Sequence, residues 1–242
     1  MALPRSPHVV RQPLPAAPIS PPRRLGRSPS NATPTNRPTR GGRAAGQSAK
    51  ADMLTVSIVM ATYRRPHTIQ RTVSKIIAQT YPHWELIVVN NSRAGDYHFA
   101  DPRIHVYRHA SHASASYARN AGLAHATGDL VCFFNDDDDM FPTYLEQLVS
   151  AFREHPRASM VRCGMLKDDG QAHFGCATPV CCLRRQAATP TWQEIEGHDQ
   201  RYFGDIIEAH GWSEERGDIV VVPETLVRVR SDPKGGLRSG RL

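Results

Sequence analysis

The sequence predicts an α/β domain: a mostly parallel sheet flanked by helices. Two observations predict it. Between residues 55 and 152, short apolar runs rich in Val and Ile alternate with segments of helical periodicity ten to fourteen residues long, the pattern of strands joined by crossover helices. The runs are also followed by polar, turn-forming stretches: Thr62-Tyr63-Arg64-Arg65, Asn90-Asn91-Ser92 and Asn135 to Asp139. In a parallel sheet these stretches fall on one edge, beyond the carboxyl ends of the strands, where such sheets bind ligands.

Each element follows from local residues. Residues 55–61 (TVSIVMA) read as the first strand. Pro66 suits the first turn of a helix, and Ile69, Val73, Ile76 and Ile77 recur on one helical face. Residues 85–89 are a second strand and 103–107 a shorter third. Residues 115–126 are Ala- and Gly-rich and helical, with small side chains that permit close packing on a sheet. Residues 130–134 form a fourth strand. Pro142 opens a helix with Leu145, Leu148, Val149 and Phe152 on one face. Further on, 159–163 is a strand, 164–190 is irregular, a helix lies within 198–209, and 219–222 and 225–229 are two closing strands. The resulting organisation is a disordered basic tail (1–52), a ligand-binding half (53–155), a second half of the same domain (156–230) and a flexible C-terminal tail (231–242).

Composition sets limits. The 242 residues are 40% hydrophobic, enough for a core. No apolar run approaches the ~18 residues that cross a bilayer, and the N-terminus lacks the apolar core of a secretory signal, so a cytoplasmic protein is expected. The net charge of +7 is misleading. Residues 1–50 carry nine positive charges and no acid, which leaves −2 for the rest. Basicity therefore belongs to the Pro/Arg-rich tail, and nucleic-acid binding is not expected of the folded part. The cysteines, five in number, lack the paired two-residue spacing of a zinc site.

The most informative stretch is FFNDDDD, residues 133–139. An apolar strand stops at Asn135 and four carboxylates follow. Two unit charges ~4 Å apart repel by roughly 1 kcal/mol in water, and more where solvent is partly excluded. Splayed into water, the cluster is an ordinary acidic turn. Converging, it is a site for a hard cation such as Mg2+ or Mn2+, which takes oxygen ligands and bridges carboxylates to phosphates.

Five segments in order give the region 56–152 a resemblance to family 2 glycosyltransferases, which have the GT-A fold. They are Ala61-Thr62-Tyr63-Arg64-Arg65, Ala78-Gln79-Thr80-Tyr81-Pro82, Ala118-Arg119-Asn120-Ala121-Gly122, Ala126-Thr127-Gly128-Asp129 and the acidic run with Pro142 beyond it. The resemblance implies a GT-A-type, Rossmann-like sheet with a smaller acceptor-side region. It implies a nucleotide-sugar site made of Thr62, Tyr63, Arg65, Asn90, Asn91, Arg119, Asn120, Asp136 and Asp137. It places Mn2+ or Mg2+ on Asp137, Asp136 and Asp138, and leaves Asp139 as an ordinary exposed residue. The family's acidic pair after the second strand is replaced by Asn90-Asn91, so the nucleotide base stays open.

The same resemblance implies inverting transfer of a sugar from a nucleoside-diphosphate sugar to an acceptor hydroxyl. A carboxylate takes the acceptor's proton; Asp199 is the candidate and Glu196 the alternative. The acceptor class stays open between carbohydrate, lipid-linked and small-molecule hydroxyls, and peripheral membrane association is compatible with all three. Two other readings stand beside this one. A degenerate, non-catalytic GT-A-like binding protein is compatible with the amide pair. A sugar-phosphate nucleotidyltransferase is disfavoured by the lack of glycine in residues 61–65.

Overall fold

In the computed structural model, residues 53–92, 96–108, 114–189, 192 and 198–230 are described, the first three residues of the last segment as backbone. The chain opens as strand β1 (Val56–Thr62), helix α1 (Pro66–Ile77), strands β2 (Trp84–Asn90) and β3 (Ile104–Arg108), helix α2 (Ala115–His125) and strand β4 (Leu130–Phe133). Then come β5 (Asp139–Met140), α3 (Tyr144–Glu154), β6 (Met160–Leu166), β7 (Ala172–His173), β8 (Cys181–Arg184), a 3-10 turn (Arg185–Ala187), α4 (His198–His210) and β9 (Ile219–Arg228). The strands form one sheet in the order β3-β2-β1-β4-β8-β6-β9-β5, with β7 on β6.

The first four strands are parallel, as the sequence predicts. The other half is mixed. β8 runs antiparallel to both β4 and β6, β9 is parallel to β6, and β5 is antiparallel to β9. Two expectations therefore need correction. The stretch 164–190 is not wholly irregular, since β8 sits inside the sheet. The two closing strands are one, β9, with a register irregularity opposite Arg162 to Met165.

The core lies between sheet and helices. On α1, Ile69, Val73 and Ile76 are buried, each contributing about 1.5–3 kcal/mol. Ile77, expected on that face, is 43% exposed. It is the last residue of the helix, and the ~100° step from Ile76 turns it off the apolar stripe. Helix α2 presses its backbone onto the sheet at Gly122, where a Cβ would meet Val59 Cγ1 at 2.5 Å.

Several of the segments in the resemblance do structural work. Gln79 donates to the Phe141 carbonyl (2.7 Å) and accepts from the Leu145 N–H (3.0 Å), while the Thr80 N–H donates to the Pro142 carbonyl (3.0 Å). They tie the end of α1 to the start of α3. At Gly128 a Cβ would stand 2.7 Å from the Thr55 carbonyl oxygen, and Asp129 accepts the Thr55 N–H at 2.9 Å. Glu85 Oε1 accepts from Ser57 Oγ (2.6 Å), the Thr127 N–H (2.7 Å) and Thr127 Oγ1 (2.9 Å). This gathers the starts of β1, β2 and β4. All five cysteines are free thiols, and Cys132, Cys163, Cys181 and Cys182 are buried.

Candidate nucleotide-sugar site

Parallel pairing brings the carboxyl ends of β2, β1 and β4 side by side, with Thr62 opposite Asn90 in the ladder. Beyond the ladder the Asn91 N–H donates to the Thr62 carbonyl (2.9 Å), and Asn90 Oδ1 accepts from the Ser92 N–H (3.0 Å), which folds the chain back in an Asx turn. The Phe134 N–H donates to the Val59 carbonyl (2.9 Å). The acidic run then leaves the sheet beside Thr62.

The four aspartates go separate ways. Asp136 is buried; its Oδ2 accepts from Thr62 Oγ1 (2.7 Å) and its Oδ1 from Arg65 Nη1 (3.0 Å). The same Nη1 donates to Asp137, whose side chain remains 22% exposed. Asp138 is buried, with Oδ2 accepting from Asn135 Nδ2 (2.8 Å) and Oδ1 from the Arg230 N–H (3.2 Å). Asp139, expected to be exposed, is buried and ion-paired to Arg71 (3.1 Å) and Arg230 (2.6 Å). Beneath the run the Thr72 hydroxyl reaches the carbonyls of Asp138 (2.9 Å) and Asp136 (3.1 Å).

Arginines thus answer the repulsion. Arg65, Arg71 and Arg230 stand against three of the carboxylates. Burial still pushes the Asp136 carboxyl up, opposed by the Thr62 hydrogen bond and the Arg65 charge. Burial and the charge of Asp137 push Asp138 up to about 7. Among the described residues no three carboxylate, histidine or cysteine groups converge as a metal centre. The expected trio is not gathered. Asp136 and Asp137 meet on Arg65, while Asp138 faces Asn135 and Arg230. The pair by itself would fit a hard cation: both groups are carboxylates and both already bind one positive group, Arg65 Nη1.

The remaining candidates divide. Tyr63 is half-buried beneath the Arg64 guanidinium, 5.1 Å from its ring centre. Arg119 is buried, donates to Asn135 Oδ1 (3.1 Å) and lies 4.6 Å over the Trp192 ring. Asn120, expected to bind ligand, exchanges two hydrogen bonds with the Trp192 backbone: Nδ2 to its carbonyl (3.1 Å) and Oδ1 from its N–H (3.2 Å). Asp199 lies in the first turn of α4, its side chain outside the described residues, as is Glu196. Residues 1–52 and 231–242 are likewise outside them. Sequence reading missed Arg71, Thr72, Trp192 and Arg230. A helix arginine six residues after Arg65 was the one available signal; the others carry none.

A glycosyltransferase-type α/β fold is what this sheet and its strand-end site define. The model of glycosyl transferase family 2 matches residues 57–192, more than half of the chain, and the chain belongs to that family. It is 35% identical over 100 residues to the Escherichia coli UDP-Glc:alpha-D-GlcNAc-diphosphoundecaprenol beta-1,3-glucosyltransferase WfgD, covering 39% of this chain and 40% of that one. The chain spans less than half the length of this curated relative. S. aureus TarS in complex with UDP-GlcNAc superposes with a TM-score of 0.58 at 14% identity, over 76% of this chain and 61% of that one. The Pyrobaculum calidifontis mannosyltransferase PcManGT, in complex with GDP-Man and Mn2+, does so at 0.56 and 15% identity, over 75% and 58%. At such identities the likeness is one of fold, and the GT-A-type architecture is common to all three. No described helix is long and apolar enough to cross a membrane.

Proposed function

We propose that the protein transfers a sugar from a nucleoside-diphosphate sugar to an acceptor hydroxyl, with inversion and with the help of a divalent cation. The observation that carries the reading is the Asp136–Asp137 pair at the strand ends of a family 2 domain. Both carboxylates would hold Mg2+ or Mn2+, and the bound ion would supply Lewis-acid stabilisation of the departing nucleoside diphosphate. Thr62 fixes Asp136 in place. Asn90, Asn91 and Tyr63 line the neighbouring strand ends, where the base would lie, and Arg119 brings a positive charge beside Asn135. Asp199 or Glu196 takes the proton of the acceptor hydroxyl as its oxygen attacks the anomeric carbon from the face opposite the leaving group. That displacement inverts the centre.

Donors named for related proteins, UDP-Glc, UDP-GlcNAc and GDP-Man, define the first set to try. The test is thermal unfolding with UDP, GDP and their sugars, each with and without Mn2+. Saturation at about 100 times Kd stabilises the native state by roughly 2.7 kcal/mol. A Mn2+-dependent rise in Tm with one nucleotide is expected; no shift with any of them sinks the reading. Turnover of the stabilising donor then separates an enzyme from a non-catalytic binder, which the amide pair Asn90–Asn91 keeps as the second reading.

A further inference from the structure

The acidic pair already has a cation. Arg65 Nη1 sits between Asp136 and Asp137, bonded to both, at the point where two carboxylates would share a metal. We propose that Arg65 is a displaceable internal counterion, which competes with the divalent ion for these carboxylates and releases them when its guanidinium moves to the diphosphate of an incoming donor. This deepens the functional reading above and rests on it.

The geometry already has an occupant. Asp136 is buried, and Arg65 Nη1 bridges it to Asp137 by charge-assisted hydrogen bonds to both carboxylates. Of the other arginines at the run, Arg71 and Arg230 pair with the carboxylate of Asp139, and Arg71 reaches Asp137 at its backbone carbonyl, not at its carboxylate. Arg65 therefore supplies the local balance.

Its attachment is suited to release. The preceding residue, Arg64, has φ of 53°, a left-handed conformation that costs a non-glycine residue energy. Arg65 itself is the N-cap of α1, with φ −120° and ψ 59° and no side-chain cap bond. Its N–H donates to Tyr97 Oη at 3.2 Å. The side chain is 24% exposed, at the open side of the site where Asp137 also meets solvent. A guanidinium binds carboxylate and phosphate with the same planar fork, so a diphosphate offers it an equivalent partner. The exchange is reciprocal. A diphosphate that draws Arg65 away raises cation affinity, and a bound cation frees Arg65 for the diphosphate.

The decisive measurement uses Mn2+ alone, without nucleotide, titrated into the full chain and followed by the EPR signal of free Mn2+. Arg65→Gln is expected to bind Mn2+ roughly tenfold more tightly than wild type, or about 1.4 kcal/mol. Arg65→Lys keeps the charge but not the fork, and is expected to gain about threefold. The gain must vanish in Arg65→Gln/Asp137→Ala. Circular dichroism checks the fold of each variant, and Arg65→Lys decides the matter should Arg65→Gln not fold. Affinity equal to or weaker than wild type in the folded variants overturns the proposal. So does a gain that survives loss of Asp137. Because no nucleotide is present, the outcome is independent of the donor screen: a tighter Mn2+ site with no nucleotide-dependent stabilisation would leave Arg65 as the competing counterion of the pair, but would overturn both its transfer to a donor diphosphate and the transferase reading.

Discussion

Asp137 is the most exposed member of the acidic run, and Arg65 holds it against its buried neighbour Asp136. In the proposed function, exposure and position together make it the group that an incoming cation would meet first. Asp137→Ala is expected to abolish Mn2+-dependent nucleotide stabilisation while leaving the Tm of the ligand-free protein within a few degrees, because a partly exposed ion pair contributes little. Titration calorimetry with the nucleotide that stabilises the wild type checks it; undiminished Mn2+-dependent binding would place the cation elsewhere. Single residues also show how far motifs carry meaning. Thr62 and Asp136, both candidates from the sequence, are in direct contact. Asn120 belongs to the same kind of motif, yet its amide holds the Trp192 backbone. A motif records that a residue type is needed, not whether a ligand or the chain itself needs it.

At the scale of elements, the starts of three strands depend on one carboxylate. Burial would raise the pKa of Glu85, but hydrogen bonds from Ser57, Thr127 and the Gly128 N–H outweigh it and hold the group below its ordinary value. A depressed carboxylate stabilises the fold above its unfolded pKa, and the contribution fades as pH falls through the folded one. Glu85→Gln is therefore expected to cost about 1–2 kcal/mol at pH 7, from weakened charged hydrogen bonds. The gap to wild type should narrow below about pH 4, near the ordinary carboxylate pKa. Urea unfolding across pH 3.5–7.5 measures it, and a gap that does not depend on pH would contradict it. Strands β1 and β2 and the helices α1 to α3 were legible because their periodicities are long and their residues agree with them, and β4 because its four residues are all apolar and run into a polar, turn-forming stretch. β8 was not. Its four residues, Cys-Cys-Leu-Arg, include no β-branched or aromatic side chain, and ladders to β4 and β6 on either side make them a strand.

Across the whole molecule, Trp192 joins parts that the chain keeps far apart. Its ring stacks on Tyr202 of α4 (4.0 Å, 8°) and packs edge-on to Phe133 at the end of β4 (5.0 Å), while Arg119 and Asn120 of α2 hold its face and backbone. Trp192→Ala is expected to destabilise the protein by about 3–5 kcal/mol, as loss of a buried large aromatic does; a loss under about 1 kcal/mol in equilibrium urea unfolding would show that the junction is loose. By itself the sequence determined the α/β class, the parallel half of the sheet, and the crowding of carboxylates at a strand end, because these are written in local periodicity and in consecutive residues. Tertiary structure alone decided what neutralises those carboxylates. Arg65, Arg71 and Arg230 come to the acidic turn from α1 and from the end of β9, and only folding brings opposite charges so distant in the chain within hydrogen-bonding reach.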